Sequence, residues 1–132
     1  MSTVRVAAGA VIDGRRLLLA QRAYPPELAG LWELPGGKAE PGETLAAALE
    51  RELCEELDVK VVAGDRLAAT VRPKPGLELV ALRAAIVAGT PRAVEHQALA
   101  WVDAAGLRAL VDAGAIVPND LAWIDELLAD LG

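Results

Sequence analysis

Three carboxylates, Glu52, Glu55 and Glu56, stand at positions i, i+3 and i+4 within a run of strong helix formers. On an α-helix that spacing puts all three on one side, within reach of one another. Like charges so placed oppose helix formation by roughly 0.2–0.5 kcal/mol per pair. Between Glu50 and Asp58 the only cation is Arg51. A divalent cation among the carboxylates would relieve the repulsion, and the glycine-rich turn before the helix would bring backbone carbonyls to the same place. A single histidine, His96, and a single cysteine, Cys54, are too few for a zinc site. Any metal is therefore held mainly by oxygen, which selects magnesium, manganese or calcium. For an isolated Glu-x-x-Glu-Glu the ordinary reading is a solvated acidic face.

The elements that must position these acids are mixed. Val4 to Ile12 reads as a strand, Asp13-Gly14 as a hairpin turn, and Leu17 to Ala20 as the returning strand. Tyr24-Pro25-Pro26-Glu27 begins a loop, and Leu31 to Leu34 is a short strand stopped by Pro35-Gly36-Gly37. Thr44 caps a helix through about Leu57, with Leu45, Leu49, Leu53 and Leu57 four apart. Val59 to Val71 and Leu77 to Val87 are strands around a turn at Pro73-Lys74-Pro75-Gly76. A strand from Ala98 to Val102, a helix near Ala104 to Leu110 and an amphipathic helix from about Asn119 to Leu131 complete the chain. This order predicts an α+β fold, since one helix is inserted among strands without the strict alternation of a doubly wound sheet.

The length of 132 residues is right for one domain spanning 1–132, and 54% hydrophobic residues leave ample material for a core. The 19 acids exceed the 13 bases, giving a net charge of −6. Residues 40–58 hold seven acids against Arg51, while the remaining 12 acids and 12 bases cancel. The whole formal excess thus lies around the three carboxylates. Bulk charge excludes a nucleic-acid polymer as partner, yet a metal-escorted nucleotide remains compatible. The N-terminal residues lack a secretory pattern, and no apolar run reaches the ~18 residues of a membrane helix. With one unpaired cysteine, a cytoplasmic protein without a membrane partner is expected. A P-loop is excluded because Gly37-Lys38 is followed by Ala39 and Trp32 stands where the first glycine should. No nucleophile-elbow pattern accompanies His96.

The surroundings of the acids change the odds between metal site and solvated face. Gly37, Glu43, Arg51, Glu52, Leu53, Glu55, Glu56 and Val59 stand in the order G-x5-E-x7-R-E-U-x-E-E-x-x-U, where U is a bulky aliphatic residue. This resembles the Nudix box, the signature of the Nudix hydrolases. The departure is Asp58, where the pattern has glycine after the helix; Asp tolerates the left-handed conformation better than most residues, so a modest stability cost is expected. Ala20-Gln21-Arg22, Gly30 to Lys38, Glu95-His96-Gln97-Ala98-Leu99 with Trp101, and Pro118-Asn119-Asp120 are similar to the MutT-like branch, nearest in type to CTP pyrophosphohydrolases and the enzymes that cleanse oxidised nucleotides. The resemblance implies the Nudix fold, a mixed sheet between helices with the box as loop, helix and loop.

It also implies a reaction: magnesium-dependent hydrolysis of a nucleoside triphosphate to nucleoside monophosphate and pyrophosphate, with manganese as an alternative metal. The substrate class is (d)CTP or 8-oxo-dGTP, the role is pool sanitation, and the protein is expected as a monomer or weak homodimer. The alternatives are another nucleoside-diphosphate-linked substrate or a non-catalytic nucleotide-binding module. Glu52, Glu55 and Glu56, with the Gly36 carbonyl and Glu95, would form the metal site. Glu52 is either a ligand or the base that deprotonates water, and Glu95 contributes to metal binding or water activation. Arg51 and Glu43 would pair and orient the helix. Arg22, Leu34, Gly37, Lys38 and Asp120 would contact substrate. Asp120 either touches the nucleobase or, like Asn119, caps the last helix. Trp32 stacks on a base or belongs to the core, His96 reads as loop structure, and Cys54 has no assigned chemistry.

Overall fold

The computed structural model describes residues 3–132. The unbroken run of small and branched apolar residues from Val6 to Ile12 in β1 (Val4–Asp13) gives a strand buried on both faces. It forms a tight antiparallel turn into β2 (Arg16–Gln21), pairing Ile12 with Leu17 and Asp13 with Arg16. Next come β3 (Trp32–Glu33), β4 (Gly36–Lys38), α1 (Leu45–Leu57), β5 (Lys60–Lys74), β6 (Leu77–Ala88) and β7 (Ala98–Val102). The helices α2 (Ala104–Asp112) and α3 (Ile124–Leu131) follow, separated by a 3-10 helix, Pro118–Trp123. The strand order is β3-β2-β1-β6-β5, with β4 on β1 and β7 on β2. β1 runs parallel to β6 and antiparallel to β2 and β4, so the sheet is mixed.

Two cores cover its faces. On one, Ala7, Val11, Leu18 and Val80 pack against Ala48, Leu49, Leu53 and Leu57 of α1. On the other, Ala8, Ala10, Leu17 and Leu19 meet Leu107 of α2, Trp123, and Ile124, Leu127 and Leu131 of α3. The four-residue leucine spacing thus clamps α1 to the sheet, each buried leucine contributing about 1.5–3 kcal/mol. Thr44 caps α1 by accepting from the Ala47 N–H at 3.0 Å. Asp58 ends it in the left-handed region at φ 58°. The predicted cap conformation at the departure from the family pattern is present.

Two elements differ from expectation. Pro35-Gly36-Gly37 does more than stop a strand: Gly36 to Lys38 re-enter the sheet as β4, pairing with Ala8, Ala7 and Val6. A Cβ on Gly36 would overlap the Ala7 carbonyl oxygen, so only glycine permits this approach. The last helix is also divided. In a 3-10 turn, residues three apart share a face, and this directs both Asp120 and Trp123 inward before α-geometry resumes at Ile124. The Trp123 Nε1–H donates to the Ala69 carbonyl at 2.9 Å, fixing the turn to β5.

Candidate active site

The acids around α1 fall into two groups. In the first, Arg51 supplies the cation. Its Nε donates to Glu43 Oε2 and its NH2 to Glu43 Oε1, both at 2.9 Å, a two-pronged pair of the kind that fixes orientation. NH1 reaches Glu52 Oε1 at 3.1 Å and Glu55 Oε2 at 3.4 Å, while NH2 also donates to the Lys38 carbonyl. Hydrogen bonding to Arg51, then to the Glu40 backbone amide, holds the Glu43 carboxyl down at about 2. The carboxylate repulsion that suggested a bound cation is thus relieved in part by Arg51 itself. Glu50 lies apart, accepting the Ala63 N–H at 3.0 Å.

Glu56 forms the second group. Its Oε2 is buried and has no hydrogen-bond partner. Burial first, then the charges of Glu52, Glu95 and Glu33, push its carboxyl up to about 8, opposed by the Gly36 backbone amide. Glu52 is packed directly over Gly37, where a Cβ would overlap its carboxylate. That second glycine keeps Glu52 close to the β4 backbone. Glu55, by contrast, is exposed and pairs with Arg51.

Glu56 opens into a cavity of about 320 Å³. Its walls bring together Arg22, Leu34, Gly36, Gly37, Lys38, Glu56, Glu95 and Asp120 from the expected set, together with Glu33 and His96. Glu52, Glu55, Arg51 and Glu43 stand outside its wall, on the α1 side. Asp120 is 9% exposed, and its Oδ2 accepts the Leu34 N–H at 2.8 Å. No side-chain cap bond is made at the start of the 3-10 helix, where Val117 is the cap residue, so the capping alternative for Asp120 is set aside. Burial pushes the Asp120 carboxyl up to about 7; the Leu34 hydrogen bond and Arg22 oppose this and Glu33 adds to it. Trp32 is absent from the cavity wall and packs against the core near Ile116.

Sequence reasoning missed Glu33. It places one oxygen 3.0 Å from Arg22 NH1 and the other 2.9 Å from His96 Nε2. The available signal was an acid within the otherwise apolar run Leu31-Trp32-Glu33-Leu34, which in a strand must leave the core face.

A hard divalent cation fits these residues. The orphaned oxygen of Glu56 is a ligand atom without a partner, and the charges of the neighbouring Glu52, Glu95 and Glu33 act on it even though Arg51 and Arg22 pair with two of them. Among the described residues no three acid, histidine or cysteine side chains already converge as a metal cage, and Arg51 holds Glu52 and Glu55.

A mixed sheet between helices, with an acid-bearing loop, helix and loop at a cavity, defines the class. Residues 3–123 match the NUDIX domain family, and the chain belongs to the Nudix hydrolases. It is of the MutT-like kind. It is similar to the Mycobacterium tuberculosis protein named "Putative 8-oxo-dGTP diphosphatase 2", 48% identical over 96% of this chain and 89% of that one. It is also similar to the CTP pyrophosphohydrolase of Escherichia coli, 41% identical over 76% of each. Among solved structures, that of the E. coli ORF135 protein superposes with a TM-score of 0.71 at 34% identity, covering 95% of this chain and 91% of that one. Nudix hydrolases generally use divalent metal ions. No described helix is long and apolar enough to cross a membrane.

Proposed function

We propose that the protein hydrolyses a nucleoside triphosphate of the (d)CTP or 8-oxo-dGTP class to the nucleoside monophosphate and pyrophosphate, with magnesium, or manganese, as cofactor. The observation that carries the reading is one cavity holding both the Glu56 carboxylate, one of whose oxygens has no partner, and the buried Asp120. Glu52, Glu55, Glu56 and Glu95 would hold the metal with the Gly36 carbonyl. When bound, the cation neutralises phosphate charge and lowers the proton affinity of water. Glu52 or Glu95 takes the proton of the attacking water; its oxygen bonds to phosphorus as the bond to the pyrophosphate oxygen breaks. Arg51, anchored by Glu43, holds Glu52 and so acts as a positioning residue.

Arg22 and Lys38 supply cations for the phosphate chain at the cavity wall. At Asp120, an oxygen beyond the one facing Leu34 accepts from an exocyclic amine, a group that both cytosine and guanine carry. The shared donor leaves both substrate classes compatible with this contact. Incubating the protein with canonical and damaged nucleoside triphosphates in magnesium, and identifying the phosphate released, tests the reading. Pyrophosphate with a cytosine or oxidised guanine nucleotide at the head of the ranking is expected. Orthophosphate, or no turnover of any triphosphate, refutes it.

A further inference from the structure

Among the described buried side-chain atoms, two lack a hydrogen-bond partner, Glu56 Oε2 and His96 Nδ1. The first belongs to the metal-facing acid; the second sits on a residue to which the reaction gives no task. The His96 side chain is 9% exposed, and its other nitrogen lies 2.9 Å from Glu33 Oε2. A carboxylate only accepts, so Nε2 carries the proton in this contact. Glu33 in turn accepts from Arg22 through its second oxygen at 3.0 Å. One carboxylate therefore joins the phosphate-facing arginine to the loop that carries Glu95.

That loop, between β6 and β7, has no regular structure and is held at discrete points. The Arg92 N–H donates to the Leu57 carbonyl at 2.8 Å and the Val94 N–H to the Glu56 carbonyl at 3.2 Å. These carbonyls at the end of α1 have no partner within the helix, so the loop completes the helix terminus. Beyond Glu95 the next ties are the His96 side chain on Glu33 and the Gln97 N–H on the Gln21 carbonyl at 2.8 Å. Glu95 itself is exposed and makes no side-chain hydrogen bond among the described residues, yet its charge acts on Glu56. Its placement is set by its two neighbours in the chain. On one side the tie is a long backbone bond; on the other it is a buried side chain.

We propose that His96 is a positioning residue for Glu95, acting through Glu33, and that the Arg22–Glu33–His96 chain keeps the water-side acid and the phosphate-side cation in one register. The proposal rests on the hydrolase reading for its kinetic consequence and on the loop geometry alone for its structural one. Displacing a reacting group by about 1 Å costs on the order of a hundredfold in rate. His96→Ala should therefore lower kcat by about ten- to a hundredfold while KM moves by less than about threefold. His96→Gln places an amide N–H near the position of Nε2 and should restore most of kcat. In a Glu33→Ala background, adding His96→Ala should cost less than about twofold, because its partner is already gone.

Amide hydrogen exchange supplies a readout that needs no turnover. His96→Ala should lower protection at Val94 and Gln97 by about tenfold, with His96→Gln near wild type and the core of α1 unchanged. A His96→Ala protein with wild-type kcat, or a His96→Gln protein as impaired as His96→Ala, overturns the proposal. If the wild type turns over no nucleotide, the hydrolase reading fails and exchange decides alone: unchanged protection at Val94 in His96→Ala then overturns the positioning role.

Discussion

Replacing Asp120 with Asn isolates the energetic consequence of burying an acid in the cavity. The Asp120 carboxyl is raised from 3.8 to about 7, chiefly by burial. The folded protein therefore binds a proton here that the unfolded chain has released. The sign follows: the contribution of this group is fully favourable below about pH 4, and is lost as the pH rises toward 7. At about 1.36 kcal/mol per pH unit, the interval corresponds to an upper value near 4 kcal/mol. With 9% of the residue exposed, solvent screening removes little of it. Asn keeps an oxygen for the Leu34 N–H and cannot ionise. Asp120→Asn should lie within about 1 kcal/mol of the wild type near pH 4.5 and exceed it by about 2–4 kcal/mol at pH 8. For a chain of this size that is a Tm difference of roughly 5–15 °C. Urea or thermal unfolding of both proteins from pH 4.5 to pH 8, without metal, measures it. Glu56 titrates with the same sign in both proteins, so the difference between their curves reports Asp120. Parallel curves over this range would refute the assignment of a raised, buried acid to position 120.

The same substitution should reorder the substrate ranking, since an amide can both donate and accept where an ionised carboxylate only accepts; an unchanged ranking across a panel of triphosphates would remove Asp120 from base contact. Glu52→Gln should lower kcat by at least about a hundredfold with the fold retained by circular dichroism, and near-normal turnover would take Glu52 out of the site. Magnesium at ten times its dissociation constant should stabilise the wild type by about 1.4 kcal/mol, read as a rise in Tm, and Glu56→Gln should abolish most of that rise. Asp58→Gly should stabilise the protein by up to about 1 kcal/mol, because φ at this position is 58°; a loss of stability would mean that the ion pair with Arg92 outweighs the backbone term.

Periodicity made α1 legible because its four-residue leucine spacing is a statement about burial, and burial decides the helix. β4 was hidden for the opposite reason. Its residues are Gly36, Gly37 and Lys38, which carry no strand propensity, and the pairing with β1 comes from two positions where a side chain would collide with Ala7 or Glu52. The division of the last helix was likewise unreadable from amphipathic spacing. Asp120 turns inward to the Leu34 N–H, a partner 86 residues away in the chain. Glu33 and His96 belong to the same category, since their meeting depends on a loop crossing the end of α1.

The acids of the box illustrate why spacing alone stops short of mechanism. Helical geometry puts Glu52, Glu55 and Glu56 on one side, but the structure treats them differently. Arg51 takes Glu52 and Glu55 along with Glu43, whereas Glu56 is left half-buried beside three other acids, with one oxygen buried and partnerless. A carboxylate in that state is costly to ionise unless a cation arrives, and removing its charge instead would stabilise the metal-free fold. Glu56→Gln should therefore raise the metal-free Tm at pH 9, above the value of about 8 to which the carboxyl is pushed, while abolishing metal stabilisation. Opposite movements of these two quantities in one variant are the expected mark of an acid retained for its ligand rather than for the fold. A variant that loses stability in both conditions would place Glu56 among the structural acids with Glu43 and Glu50.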